Sequence, residues 1–166
     1  CYPEHLPVLI AAAQAVAEPK FHLQAMQATT NPAAIMLIVN GPIARWLDVN
    51  AGAGCFGQGA WANATLGRAL RLVLQNIGGA LPGEMDKATQ GQPGKYTFCC
   101  AENEALTPWE PLHVERGFPA GTSTVTVVAA ESPKARAARK RAAALAAAAR
   151  FFTSGVKSCR WSRWCR

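Results

Sequence analysis

Apolar positions in this chain change period along its length, and each change marks an element. Leu6, Leu9, Ile10, Ala13, Val16 and Ala17 recur at helical spacing. Pro3 and Glu4 suit a first helical turn and Glu18-Pro19 is a stop, so the pattern predicts a helix over 4–17. Residues 22–29 fit strand or helix equally, and Thr30-Asn31-Pro32 breaks them off. The run Ala34-Ile35-Met36-Leu37-Ile38-Val39 is short, continuous and apolar, which predicts a strand covered on both faces. Asn40-Gly41-Pro42 closes it, a short helix follows over 43–47, and a glycine-rich loop occupies 50–59. The clearest helix covers 63–77, with Leu66, Leu70, Val73, Leu74 and Ile77 on one face and Arg68, Arg71 and Gln75 on the other. Gly78-Gly79 ends it. Residues 80–95 are rich in turn formers, 96–100 read as a short strand, 101–121 as an irregular polar segment, and the β-branched run 122–130 as a strand. Strands alternate with helices, which predicts an α/β domain over residues 1–131.

Charge divides the chain differently from hydropathy. The 166 residues carry a net charge of +7, but residues 134–166 hold ten Lys or Arg and no Asp or Glu. The body before them therefore has seven bases against ten acids and is mildly acidic. The tail is alanine-rich, which favours a helix over 135–152, and it ends in Cys159-Arg-Trp-Ser-Arg-Trp-Cys165. Two readings of it stand side by side. One is a nucleic-acid-binding segment, with phosphate neutralisation by the basic run and stacking by Trp161 and Trp164. The other is translation of GC-rich DNA in a shifted frame, and the abrupt loss of acids after Pro133 favours it. No stretch approaches the roughly 18–20 apolar residues of a membrane span. The six cysteines show no framework spacing, which points to reduced thiols in a cytoplasm. The start at Cys1, with neither Met nor leader, reads as a processing product or a cut inside a longer protein, so the domain is expected to be incomplete.

Two groups of residues carry candidate chemistry. Gly52-Ala-Gly-Cys-Phe-Gly57 matches G-x-G-x-x-G, but it does not follow a strand directly, and no acid occurs between it and Glu84, so a dinucleotide site is rejected. Gly52, Gly54 and Gly57 remain candidates for presenting backbone N–H groups to an anion before the helix that follows, against the alternative of a loop kept for tight packing. Cys55 in that loop is the candidate nucleophile, because a thiol near a helix start is placed to favour its thiolate; a buried structural cysteine is the alternative. The second group is Glu84, Asp86 and Lys87 with His113, Glu115 and Arg116. In an extended segment His113 and Glu115 would share a side, as a base and its orienter. Solvated loops have the same composition. No C-x-x-C or H-x-x-x-H spacing supports a metal, and the residues name no cofactor.

Gln27-Ala-Thr-Thr-Asn-Pro32, Ile38-Val-Asn-Gly-Pro-Ile43, Asn50-Ala-Gly-Ala-Gly-Cys-Phe-Gly57, Ala62-Asn-Ala-Thr-Leu-Gly-Arg-Ala69, Pro82-Gly-Glu-Met-Asp-Lys-Ala-Thr-Gln-Gly91 and Pro108-Trp-Glu-Pro-Leu-His-Val-Glu-Arg-Gly-Phe118 resemble the C-terminal portion of the bacterial UGSC-motif (seleno)protein family. The resemblance spans about residues 1–131. It implies a cytoplasmic, thiol- or selenol-dependent protein whose selenocysteine or cysteine motif lies upstream of this chain, and it assigns no role to Cys55, His113 or Glu115. Three readings follow. The first is part of an enzyme acting on a small polar or anionic substrate. The second is a non-catalytic binding or subunit-interface domain, in which a homo-oligomer packs through the glycine loop. The third is nucleic-acid binding confined to the tail. No membrane partner is expected.

Overall fold

The computed structural model describes residues 1–131 and the backbone of Leu145–Ala147. A 3-10 turn at Pro3–His5 leads into α1 (Leu6–Ala17), where Pro7 sits in the first turn and has no N–H to leave unpaired. Pro19 forces Glu18 into extended backbone and ends the helix. After a second 3-10 turn, α2 (Leu23–Ala28) settles the 22–29 alternative as helix. Then come β1 (Ala34–Asn40), α3 (Pro42–Trp46), the glycine loop, α4 (Trp61–Asn76), β2 (Cys99–Ala101), α5 (Leu112–Glu115) and β3 (Thr124–Ala130). In the tail, Leu145–Ala147 form β4. A strand therefore stands inside the span where alanine density predicts a helix, because ladder pairing outweighs propensity there. The rest of the expected 135–152 helix, and Trp161 and Trp164, lie outside the described residues.

The sheet is mixed, in the order β2-β1-β3-β4. β1 and β2 run parallel, with Leu37 opposite Cys99 and Val39 opposite Ala101. β3 is antiparallel to both β1 and β4. The crossover from β1 to β2 contains α4, as a parallel connection requires. Leu37, Val39, Cys99, Ala101, Val125 and Val127 form one face of the sheet and pack on α1 and α4 in a single core. Each Leu or Val buried there contributes about 1.5–3 kcal/mol relative to exposure.

Two expectations need correction. α1 does not bury the stripe of Leu6 and Ile10, which are 56% and 50% exposed; it buries Val8, Ala11, Ala12, Ala15 and Val16. The helix is apolar nearly all round, so periodicity alone does not choose a face, and the alanine face lets its backbone approach the sheet closely. β1 is also less evenly covered than a run of six apolar residues suggests. Its second face carries Ala34 against Phe98 and Ala130 in a small separate cluster, with Met36 and Phe56 only half-buried beside it. No helix among the described residues is long and apolar enough to cross a membrane.

Candidate active site at the carboxyl edge of the sheet

β1 ends on Asn40, a fully buried polar residue after an apolar run. The chain must turn at once, and Gly41 makes the turn at φ +80°, where a Cβ would collide with the Thr122 carbonyl. The turn brings the Asn40 amide and the Gly41 N–H against the segment leaving β2. Asn40 Nδ2 donates to Glu102 Oε2 at 2.6 Å and to Glu104 Oε1 at 3.0 Å, and Gly41 N–H donates to Glu104 Oε1 at 2.7 Å. Glu102 Oε2 also accepts the N–H of Leu112, at 2.7 Å, which ties the start of α5 to the segment leaving β2.

His113, in α5, is 1% exposed. Its Nε2 lies 3.1 Å from the Ala120 carbonyl, an oxygen that only accepts, so Nε2 carries the hydrogen. Nδ1 then presents a lone pair in the neutral ring. It has no hydrogen-bond partner and lies 3.9 Å from Glu104 Oε1. Asn40 Oδ1 and Thr124 Oγ1, on residues paired across β1 and β3, are likewise buried and unpartnered. A histidine and a carboxylate thus meet at the carboxyl ends of parallel strands, where α/β sheets place their ligands.

The carboxylate partner is not the expected one. Residues 112–115 form a helical turn rather than an extended segment, so Glu115 points about 200° around the axis from His113 and is exposed, as is Arg116. Glu84, Asp86 and Lys87 belong to the opposite end of the sheet. Asp86 is buried in an ion pair with Lys95, whose Nζ also holds the Ala33 carbonyl at the start of β1. Seven residues of strand, about 20 Å, separate that end from Asn40. Glu84 and Lys87 are exposed there, and Lys87 Nζ donates to the nearby Gly83 carbonyl at 3.0 Å.

The glycine loop lies along the outer edge of β2, where Ala101 N–H donates to the Asn50 carbonyl. Asn63 anchors it. Its Nδ2 lies 2.8, 3.1 and 3.2 Å from the carbonyls of Asn50, Cys55 and Cys99, and its Oδ1 accepts the Asn50 N–H at 2.8 Å. The loop's own N–H groups are largely committed. Gly52 donates to Asn50 Oδ1, Cys55 to Gly52, and Gly57 and Gly59 to the Gly54 carbonyl. Gly52 and Gly57 therefore do not offer their N–H groups to an anion, and Gly54, at φ +72°, serves a turn that closes on Gly59. Close packing accounts for Gly54 and Gly59, which press on each other, but not for Gly57, where a Cβ would meet open space, nor for Gly52, where it would make only an ordinary contact.

Cys55 is half-buried and free. It lies close enough to Cys99 to help push that thiol's pKa well above its ordinary value, after burial and the neighbouring Cys100. No hydrogen bond joins the Cys55 thiol to His113 or Glu104 among the described residues. Beside the loop, Leu47, Asp48, Asn50, Gly59, Ala60 and Trp61 line an open cleft of about 470 Å³, within the range of small-molecule sites.

No family model, curated protein or solved structure matches this chain. The site therefore rests on its own geometry. Asn40, Glu102 and Glu104 are the members that sequence reasoning missed. Their signals were an asparagine ending an apolar strand and Glu-Asn-Glu immediately after another strand.

Proposed function

We propose that the chain is part of a cytoplasmic enzyme that moves a proton on a small polar substrate, with His113 as the base and Glu104 as its charged partner. One observation carries this reading: the imidazole is fixed through Nε2 by a backbone carbonyl, while its buried Nδ1 is left open toward a carboxylate. A base must be oriented and its acceptor nitrogen left without a competing donor, and this arrangement does both, with Nδ1 itself buried beside Glu104 Oε1. The Glu104 side chain, 22% exposed, provides the approach from solvent. The resemblance to the UGSC-motif family supports adding thiol or selenol chemistry; it assigns no role to Cys55, which we keep as the candidate thiol on its free, half-buried place in the loop alone.

The test is deuterium incorporation from D2O into a panel of small amino and hydroxy acids, followed by proton NMR. Exchange by the native chain that is lost in His113→Asn supports the reading. Exchange that survives the substitution removes His113 from the chemistry.

A non-catalytic binding domain is the second reading, and the cleft favours it. Trp61 is 54% exposed at its rim and packs at a tilt against the rings of Tyr2 and His5, with centroids 4.6 and 5.4 Å away. A ligand that quenches Trp61 fluorescence without being turned over, in a protein whose Cys55 resists alkylation, decides for it.

A further inference from the structure

We propose that His113 and Glu104 together bind a primary ammonium group carried by a small amine-bearing molecule, an assignment that rests on reading these two residues as the working pair. The argument starts from what the site lacks. His113 Nδ1 and Asn40 Oδ1 are acceptors on residues 1% and 0% exposed, and neither has a partner. Leaving such atoms unpaired in the interior is unfavourable. Nδ1 of the neutral ring and the Asn40 oxygen call for donated hydrogen bonds, which an anion does not supply, while the unpartnered Thr124 hydroxyl, on the residue paired with Asn40, can donate or accept.

Charge narrows the class. Glu104 Oε1 accepts from two neutral donors, the Gly41 N–H and the Asn40 amide. Among the described residues no Lys or Arg pairs with Glu104. A water between Nδ1 and the carboxylate completes the hydrogen bonds and leaves His113, 3.9 Å away and charged only if protonated, as the cationic neighbour of Glu104 among the described residues; an ammonium meets the neutral imidazole and the carboxylate together. The geometry also suits it. A nitrogen about 2.8 Å from each of two atoms 3.9 Å apart sees them at about 90°, close to the spread of N–H bonds on a tetrahedral ammonium. Among the described residues no three His, Cys, Asp or Glu side chains are placed to hold a metal ion, which sets the divalent-cation alternative aside.

The experiment is titration of the full-length, 15N-labelled chain with methylammonium chloride. The Gly41 amide and the His113 ring nitrogens are followed by NMR, with tetramethylammonium chloride and sodium chloride as controls. Saturable shifts with methylammonium alone are expected, because tetramethylammonium has the charge but no N–H. Glu104→Gln keeps the acceptor for Gly41 and removes the charge, and it is expected to weaken binding by about tenfold or more. Equal shifts with all three salts, or equal affinity in Glu104→Gln, would overturn the proposal. If no methylammonium binds while His113→Asn still abolishes deuterium exchange, the ammonium site fails and the catalytic reading stands. If methylammonium binds and exchange survives His113→Asn, the catalytic reading fails alone.

Discussion

Asp86 and Arg71 form an ion pair, 3.0 Å between Oδ2 and Nη2, with only 4% and 11% of their side chains exposed. Lys95 takes the other carboxylate oxygen at 3.0 Å. One buried anion thus serves two nearly buried cations, and Arg71 also reaches Gln27 Oε1 and the Ala80 carbonyl. The group ties the turn-rich segment after α4 to the amino end of β1. Breaking a buried pair from one side leaves uncompensated charge, so Asp86→Ala is expected to cost about 3–5 kcal/mol in urea unfolding. Lys87→Ala, one residue along and exposed, is expected to stay within about 0.5 kcal/mol. Comparable losses in the two variants would mean that Asp86 is not the centre of a latch.

Asn63 holds the Cys55 loop through one side chain. Its amide has two hydrogens for three carbonyls, so they are shared, and its oxygen accepts a fourth bond. Asn63→Ala leaves buried groups unpaired at about 1–3 kcal/mol each, and the loop is expected to loosen before the fold is lost. Peptide mapping after brief iodoacetamide treatment reads this at residue level. Cys55 is expected to react faster in Asn63→Ala than in the native chain. Cys99, buried and with its thiol pKa pushed up, is expected to stay unmodified in both. An unchanged Cys55 rate would show that Asn63 does not control the loop.

Legibility in the sequence followed the physics of each signal. α4 was readable as an element because its apolar and basic positions separate, although Ile77, expected on the buried face, is 83% exposed past the helix end and Arg71, expected on the solvent face, is nearly buried by Asp86; β1 and β3 were readable because an apolar run and a β-branched run leave little choice. The buried face of α1 was not, since Leu, Ile, Val and Ala surround that helix and only the sheet beneath it selects Ala11, Ala12 and Ala15. At the site, His113 was recognisable as a residue type, but its partner depends on whether residues 112–115 extend or coil. Four residues following a proline carry too little period to decide that. Glu104 reaches His113 only because the Gly41 turn and the end of β2 meet, which is tertiary information. Glu84, Asp86 and Lys87 mixed two roles that composition does not separate: Asp86 is a buried structural anion, and its neighbours are solvated.

Gly67 sets two effects against each other. It lies inside α4, where alanine is favoured over glycine by about 1 kcal/mol. A Cβ there would stand 2.5 Å from the backbone nitrogen of Phe98 and 2.5 Å from Thr97 Oγ1. Thr97 Oγ1 itself bonds the Ala64 carbonyl at 2.7 Å, so it has little freedom to withdraw. The helix would have to move off β2, and overpacking of this kind costs about 1–3 kcal/mol. Gly67→Ala is therefore expected to lower the urea midpoint despite the better helix former. A raised midpoint would mean that α4 does not pack against β2 at this distance.

His5 gives the stability a pH dependence of known sign. It is 2% exposed, Tyr2 N–H points at its Nδ1 from 3.4 Å, and its ring faces Trp61. Burial first, and the chain-terminal amine second, hold its pKa below the ordinary value, against a smaller opposing effect of Glu4. The unfolded chain then binds a proton more readily than the folded one, so stability rises with pH across the titration. The contribution is full above the unfolded value of about 6.5 and is lost as pH falls below it. His5→Gln cannot titrate. The native chain is expected to lose more of its urea midpoint than His5→Gln between neutral pH and about one unit below that unfolded value. Parallel losses in the two proteins would show that another group sets the acid sensitivity.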